Sequence, residues 1–209
     1  MSNAKIFLGT LIHFLFCISG LLVLQKIFIE PKLLPHSASW LWIALCAILI
    51  PSLLGITKDQ LNWHKHHWVL LVIILFMIPF PRIPSNEVWH LPSILLFSLN
   101  QLCGPAVCEE LYFRARFHQL TIHCKHSILI SLFNGILFSS AHVILRGPGL
   151  LQFLTFIPGI VLWIIYRKNR NLWTVILLHW LLNTSFYAVF YRLELIFPDF
   201  FKRFLFNGI

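Results

Sequence analysis

Long apolar runs alternate with short polar or proline-bearing joints along this chain. The joints include EPKLLPH, TKDQLNWHKHH and YRKNRN. A helix needs about 20 mostly apolar residues to cross the hydrocarbon of a bilayer, and somewhat fewer when its ends reach the headgroups. Six runs predict membrane helices of this kind: residues 6–24, 40–56, 68–80, 128–145, 150–166 and 172–191.

The region between the third and fourth runs is interrupted by NQLCGP at 100–105. Proline suits the first turn of a helix better than its interior. We therefore expect a short helix over 91–101 and a seventh spanning helix over 105–122. The tail over 193–206 mixes aromatic and charged residues, as interfacial helices do. The prediction is an all-α, multi-pass membrane bundle with about seven spanning helices plus short interfacial helices. It forms one domain over 1–209, with a motif-bearing core over about 91–191.

Composition supports a membrane protein, because 58% of the 209 residues are hydrophobic and only 11% are charged. The formal net charge is +9, but the 16 Lys and Arg residues are scattered through the joints. This scatter argues against nucleic acid as a partner and favours topology and lipid headgroups as its explanation. If the chain crosses the membrane seven times, nine of these 16 basic residues lie on the same side of the membrane as the N-terminus. That bias favours a cytoplasmic N-terminus. The location we expect is a bacterial cytoplasmic membrane.

The five cysteines show no CxxC spacing. The sequence therefore predicts neither a disulfide framework nor a thiolate zinc site.

The stretch CEELYFRARF, at 108–117, places four charged side chains in an apolar segment. A charge near the bilayer centre costs roughly 2.5–3.5 kcal/mol, so each one needs a partner or a function. Glu110 and Arg114 are four residues apart, with the acid first, which favours an ion pair within the helix. Glu109 points about 100° away from Glu110 and must find its own partner or stay protonated.

Two later helices carry further polar pairs with helical spacing. Phe138 and His142 are four residues apart, and so are His179 and Asn183. If the chain crosses the membrane alternately, Glu109 and these polar groups can share one half of the bilayer. A carboxylate, two imidazoles and a carboxamide provide a base, a proton carrier and donors for an oxyanion.

Other histidines have simpler interpretations. His13 on the first helix is explained by a neutral imidazole with one hydrogen bond to a neighbouring helix. The HKHH run at 64–67 lies beside Trp63 and Trp68. An interfacial, solvated loop explains that run better than a metal site does.

Three motifs in this order resemble those of the CAAX-prenyl-protease-like intramembrane proteases, also called the CPBP or ABI family. The segment EELYFR at 109–114 matches the motif EExxxR. The segment FSSAH at 138–142 matches FxxxH, and the segment HWLLN at 179–183 matches HxxxN. The resemblance implies a glutamate-type mechanism. Glu109 and His142 would activate water, and His179 and Asn183 would stabilise the oxyanion. Glu110, Arg114 and Phe138 would support the site.

The resemblance implies no cofactor, although Glu109, His142 and His179 could instead hold zinc. The absence of HExxH, and the origin of the three residues on separate helices, favour the metal-free mechanism. The implied partner is a membrane-anchored protein or peptide, cut near its C-terminus, with a C-terminal sorting signal as one class of substrate. The main alternative is a non-enzymatic bacteriocin-immunity or scaffold protein. A transporter is the less favoured alternative, because transporters usually contain internal repeats and none is visible in this sequence.

Overall fold

The computed structural model describes residues 3–31, 62–64, 67 and 98–196. Helices joined by short turns make up these residues, and none of them is in a strand. We number the helices in chain order. They are α1 (Asn3–Leu24, continued by a π-helical segment, Gln25–Ile29), α2 (98–121), α3 (Ser127–Arg146), α4 (Leu150–Leu154), α5 (Phe156–Asn169) and α6 (Leu172–Ile196). The predicted all-α class is confirmed.

Three helical segments of the described part are long and apolar enough to cross a membrane: Asn3–Ile29, Ser127–Arg146 and Leu150–Asn169. The last helix adds a shorter apolar run, Leu172–Phe186. These segments agree with a multi-pass bundle. The predicted spans at 40–56 and 68–80 lie outside the described residues, as do residues 91–97 of the predicted short helix and 197–206 of the tail.

Helix α2 passes without a break through the boundary that Pro105 predicted, so that boundary was wrong. Pro105 lies inside a π-helical segment, Leu102–Ala106, and α2 continues through Val107–Glu110. A second π-helical segment, Leu111–Arg116, follows before the helix ends with Phe117–Thr121. Proline lacks an N–H and its ring collides with the carbonyl one α-turn earlier. A wider π turn relieves that collision without ending the helix.

Aromatic contacts pack α1 against α2 and α3. The Phe7 and Phe133 ring centroids are 4.9 Å apart, and those of Phe14 and Phe113 are 6.5 Å apart. His13 Nδ1 lies 3.2 Å from the Tyr112 hydroxyl on α2. The interhelical hydrogen bond predicted for His13 is therefore confirmed.

Helices α3 and α5 come close enough that their backbones touch at two glycines. A Cβ added at Gly159 would lie 3.1 Å from the Cα of Gly135 and 3.0 Å from the Cβ of Phe138. Ser139 donates a hydrogen bond to the carbonyl of Gln152 at 3.1 Å, which ties α3 to α4. This close approach sets the position of Phe138, one of the predicted site residues.

The N-terminal end of α6 forms hydrogen bonds with the segment that contains HKHH (64–67). Asn171 accepts a hydrogen bond from the Thr174 amide at 3.0 Å and donates one to the carbonyl of Asn62 at 2.7 Å. His67 Nε2 lies 2.8 Å from the Thr174 hydroxyl, and His67 is fully buried. The solvated loop predicted for HKHH is therefore wrong at His67, while His64 is exposed and Lys65 and His66 lie outside the described residues.

We predict that Gly159→Val destabilises the protein, because the new side chain would separate α3 from α5. Overpacking of this kind costs about 1–3 kcal/mol. Thermal unfolding in detergent would show a lower Tm. Gly9→Val on α1 is the matched control: a Cβ at Gly9 meets nothing within 4 Å, and valine carries the same helix penalty at both sites. Equal Tm changes for the two variants would contradict the close packing at Gly159.

Candidate active site

Helices α2, α3 and α6 bring six of the seven predicted site residues into one buried cluster. Helix α2 contributes Glu109, Glu110 and Arg114, α3 contributes Phe138 and His142, and α6 contributes His179. Both glutamates lie on the single α-helical turn, Val107–Glu110, between the two π-helical segments. The carboxylates are therefore adjacent in sequence but reach different partners.

Glu110 and Arg114 form the predicted ion pair. Arg114 Nε lies 2.8 Å from Glu110 Oε2, and both side chains are 0% exposed. A guanidinium stays charged in proteins, so it needs a counter-charge when it is buried. The pair supplies that counter-charge within one helix.

His179 extends this pair to α6, a contact that the spacing did not predict. Its Nδ1 lies 2.8 Å from Glu110 Oε1. An ionised carboxylate only accepts hydrogen bonds, so Nδ1 of His179 donates. The other ring nitrogen, Nε2, faces Glu109 Oε2 at 3.9 Å.

His142 is held in the same way on α3. Its Nδ1 lies 2.9 Å from the carbonyl oxygen of Phe138, which can only accept, so Nδ1 donates here too. Its Nε2 lies 3.9 Å from Glu109 Oε2. Both separations from Glu109 are too long for a direct hydrogen bond. Glu109 Oε2 is buried and has no hydrogen-bond partner.

Three atoms of the cluster face one another and are not used by the other contacts. Nδ1 of each histidine already donates, so a neutral ring has an unprotonated Nε2. Both Nε2 atoms face Glu109 Oε2 at 3.9 Å. The arrangement therefore leaves two imidazole nitrogens and one carboxylate oxygen that can each accept a hydrogen bond from the same small molecule.

Phe138 lies at the centre of these groups. Its ring centroid is 4.7 Å from that of His142 and 5.9 Å from that of His179. The guanidinium carbon of Arg114 lies 5.3 Å from the same centroid, in cation–π range. The apolar ring therefore fills the space between the polar side chains and excludes water from the ion pair.

Asn183 is the predicted site residue that makes no hydrogen bond to this cluster. It lies one turn after His179, and its Nδ2 donates to Gln101 Oε1 on α2 at 3.4 Å. The sequence interpretation missed Gln101. The available signal was a polar side chain eight residues before Glu109, next to the joint that had been interpreted as a helix end.

Asn134 on α3 was also missed. Its Nδ2 donates to the carbonyl of Phe113 at 2.8 Å, and its Oδ1 accepts from Arg114 Nη1 at 3.0 Å. Asn134 is 0% exposed. An isolated amide in the apolar run of α3, eight residues before His142, was the signal that could have identified it.

We predict that Glu110→Gln or Arg114→Gln alone lowers the free energy of unfolding by about 3–5 kcal/mol, because each leaves a buried charge without its partner. Chemical denaturation in detergent would measure the loss. The double variant should recover part of it, since both charges are then removed.

Arg116→Gln is the control for this experiment. Arg116 is only partly buried and its Nη1 donates to Gln119 Oε1 at 3.2 Å, so its loss should cost much less. If the double variant loses the sum of the two single losses, the two side chains do not stabilise each other.

The comparison with known proteins agrees with this cluster. The family model described as Type II CAAX prenyl endopeptidase Rce1-like matches residues 91–185. No curated protein and no solved structure matches the chain. The matched range contains all seven predicted site residues. The family match and the apolar helices together support an integral membrane protein. The match over residues 91–185 confirms the resemblance to the CAAX-prenyl-protease-like family.

Proposed function

We propose that this protein is an intramembrane endopeptidase that cleaves a membrane-anchored protein or peptide near its C-terminus. The observation that carries the proposal is the position of Glu109 Oε2, buried and 3.9 Å from Nε2 of both His142 and His179. The family match over residues 91–185 supports a CAAX-protease-like endopeptidase. The roles of individual residues below are part of the proposal.

Glu109 and His142 activate the attacking water in this mechanism. The 3.9 Å between Glu109 Oε2 and His142 Nε2 is too long for a direct bond and suits a water molecule that contacts both atoms. The water gives a proton to Glu109 while its oxygen bonds to the scissile carbonyl carbon. His142 Nε2 accepts the second hydrogen bond, because the Phe138 carbonyl keeps the ring proton on Nδ1.

His179 stabilises the negative charge that develops on the carbonyl oxygen. Its Nδ1 proton is donated to Glu110, so a second proton on Nε2 makes it an imidazolium that can donate to the oxyanion. Asn183 supplies a further amide donor when its side chain turns from Gln101. Donors that are already fixed in a dry site stabilise an oxyanion more than donors in water do.

Collapse of the tetrahedral intermediate completes the reaction. The carbon–nitrogen bond breaks, and the proton taken by Glu109 passes to the leaving amine. The water has then given its oxygen to the new carboxyl group and a proton to the amine. Glu110 and Arg114 stay paired throughout.

Zinc is the alternative to this mechanism, held by Glu109, His142 and His179. Ligands of a tetrahedral zinc ion lie about 3.3–3.6 Å apart, given bond lengths near 2.0–2.2 Å. The 3.9 Å separations from Glu109 exceed that range, and no three His, Cys, Asp or Glu side chains in the described part are arranged to hold a metal. The side chains as positioned do not fit zinc, so the proposal uses none.

A non-enzymatic immunity or scaffold protein is the second candidate. Such a protein would use the Glu110–Arg114 pair and the contacts of Phe138 to hold helices together. It would have no use for Glu109, a second carboxylate that faces two histidine Nε2 atoms at 3.9 Å without a direct hydrogen bond to either. This arrangement favours the enzyme.

The substrate proposal follows from the predicted orientation. A cytoplasmic N-terminus would place the cluster in the non-cytoplasmic half of the membrane, which suits the C-terminal sorting signal of an exported protein. The name of the matched family refers instead to a prenylated C-terminus. The experiment therefore needs both prenylated and unmodified peptide substrates.

We predict that Glu109→Gln lowers cleavage by at least about 100-fold, since general base catalysis contributes about 100- to 10,000-fold. The gene would be deleted and restored as wild type or variant at equal membrane levels. Mass spectrometry of C-terminal fragments from membrane proteins would measure cleavage. The purified protein would be tested on quenched fluorescent peptides with and without a farnesyl group on a cysteine four residues from the C-terminus.

Glu30→Gln, at an exposed carboxylate after α1, is the matched control and should cleave like wild type. A new fragment in wild type and Glu30→Gln, but not in Glu109→Gln, supports the enzyme. If all three proteins give the same fragments, the cluster is structural and the scaffold candidate replaces the protease.

We predict that removing metal ions leaves this activity intact. The purified protein would be dialysed against a strong zinc chelator, its metal content measured by mass spectrometry, and its cleavage rate compared with that of untreated protein. A rate that falls with the zinc content and returns when zinc is added would overturn the metal-free mechanism.

A further inference from the structure

We infer that Asn134 is a positioning residue for the site, because it holds Arg114 in the orientation that aligns Glu110 and His179. This inference rests on the proposed endopeptidase function. The hydrogen bonds of the Asn134 side chain go to Phe113 and Arg114 and not to Glu109, His142 or His179, so we expect it to act through Arg114. It is the one buried amide of the described part that joins the charged segment of α2 to α3.

The first contact of Asn134 fixes the backbone of α2. The Phe113 carbonyl, which accepts from Asn134 Nδ2 at 2.8 Å, belongs to the π-helical segment Leu111–Arg116. A π-helical segment interrupts the regular hydrogen-bond ladder of the helix. A side-chain donor from the neighbouring helix can therefore hold this part of the backbone in place.

The second contact fixes the orientation of the guanidinium. Arg114 Nε lies 2.8 Å from Glu110, and Arg114 Nη1 donates to Asn134 Oδ1 at 3.0 Å. A guanidinium is planar, so two contacts on different nitrogens define its plane. A continuous series of polar contacts then runs from Asn134 through Arg114 and Glu110 to His179: a hydrogen bond, an ion pair and a second hydrogen bond.

The neutral amide suits this position for an electrostatic reason. An amide offers both a donor for the Phe113 carbonyl and an acceptor for Arg114. A carboxylate would keep the acceptor, lose the donor and add a negative charge that competes with Glu110 for the guanidinium. An apolar side chain would lose both contacts and leave a buried carbonyl and a buried N–H without partners.

A purely structural role for Asn134 makes a different prediction. Polar side chains often join membrane helices without any catalytic effect. In that case, replacing Asn134 would lower stability but leave the catalytic rate of the folded protein unchanged. The separate effects on kcat and KM of the folded protein therefore distinguish positioning from packing.

The experiment compares Asn134→Ala, Arg114→Lys and the double variant, using whichever farnesylated or unmodified fluorescent peptide the wild type cleaves. Asn134→Ala should lower kcat by about 10- to 100-fold, with KM within about twofold, because misplaced catalytic groups slow the reaction step. The double variant should be no slower than Arg114→Lys alone, since Asn134 acts only through Arg114.

Ser131→Ala is the matched control on α3. Ser131 is buried, and its hydroxyl bonds only to the Ser127 carbonyl of its own helix, at 2.9 Å. Its kcat should equal that of wild type. Asn134→Asp provides a second test if the alanine variant does not fold, because it keeps the size of the side chain. Its added negative charge competes with Glu110 for the guanidinium, so kcat should fall in this variant as well.

The outcomes are distinct. Unchanged kcat in the folded variants Asn134→Ala and Asn134→Asp would overturn the inference. Independent, multiplicative losses in the double variant would also overturn it, because they would show that Asn134 does not act through Arg114. If wild type and Glu109→Gln give equal signals on every peptide, the proposed endopeptidase itself fails, which is a different result from a failure at Asn134.

Discussion

The buried charge of Arg114 is the constraint on which the rest of this site depends. A guanidinium without exposed surface has to be neutralised and hydrogen-bonded inside the protein. Glu110 supplies the charge from the same helix, and Asn134 supplies an acceptor from α3. The other oxygen of Glu110 then binds His179 on α6. Neutralising one cation therefore fixes the relative positions of three helices.

The irregular geometry of α2 determines which carboxylate takes part in this network. Glu109 and Glu110 lie on one α-helical turn between two π-helical segments. Glu110 faces the ion pair, and Glu109 faces the Nε2 atoms of the two histidines. A regular helix with a break at Pro105 would begin at a different place and would not include Gln101, which contacts Asn183. The π-helical segments therefore help to position the side chains of the site.

The spacing of residues along the sequence predicted the features that lie within a single helix, namely helix bounds and ion pairs inside one helix. The apolar runs predicted α1, α3 and α6 to within a few residues of their bounds, and the four-residue spacing predicted the Glu110–Arg114 pair. The motifs predicted a cluster of polar side chains from three helices. Two predicted spans, 40–56 and 68–80, lie outside the described residues and stay predictions.

Contacts between helices were harder to predict, because spacing along one helix does not determine which neighbour a side chain meets. The bond from His179 to Glu110 was missed since each residue had been assigned a different partner or role. Asn134 was missed because a single amide in an apolar run resembles ordinary interhelical contacts. The helix boundary at Pro105 was wrong because the usual effect of proline was applied without considering a π turn.

Charge balance connects this fold to the proposed reaction. Peptide hydrolysis places a new negative charge on the carbonyl oxygen, and inside a membrane protein such a charge is costly unless a proton or cation lies nearby. In the proposed mechanism, a protonated His179 Nε2 meets the new oxyanion, and Glu109 accepts a proton from water. Glu110 holds His179 Nδ1 at 2.8 Å and is itself paired with Arg114. The proposed reaction can therefore offset the charge that it creates without moving any side chain of the Glu110–Arg114 pair.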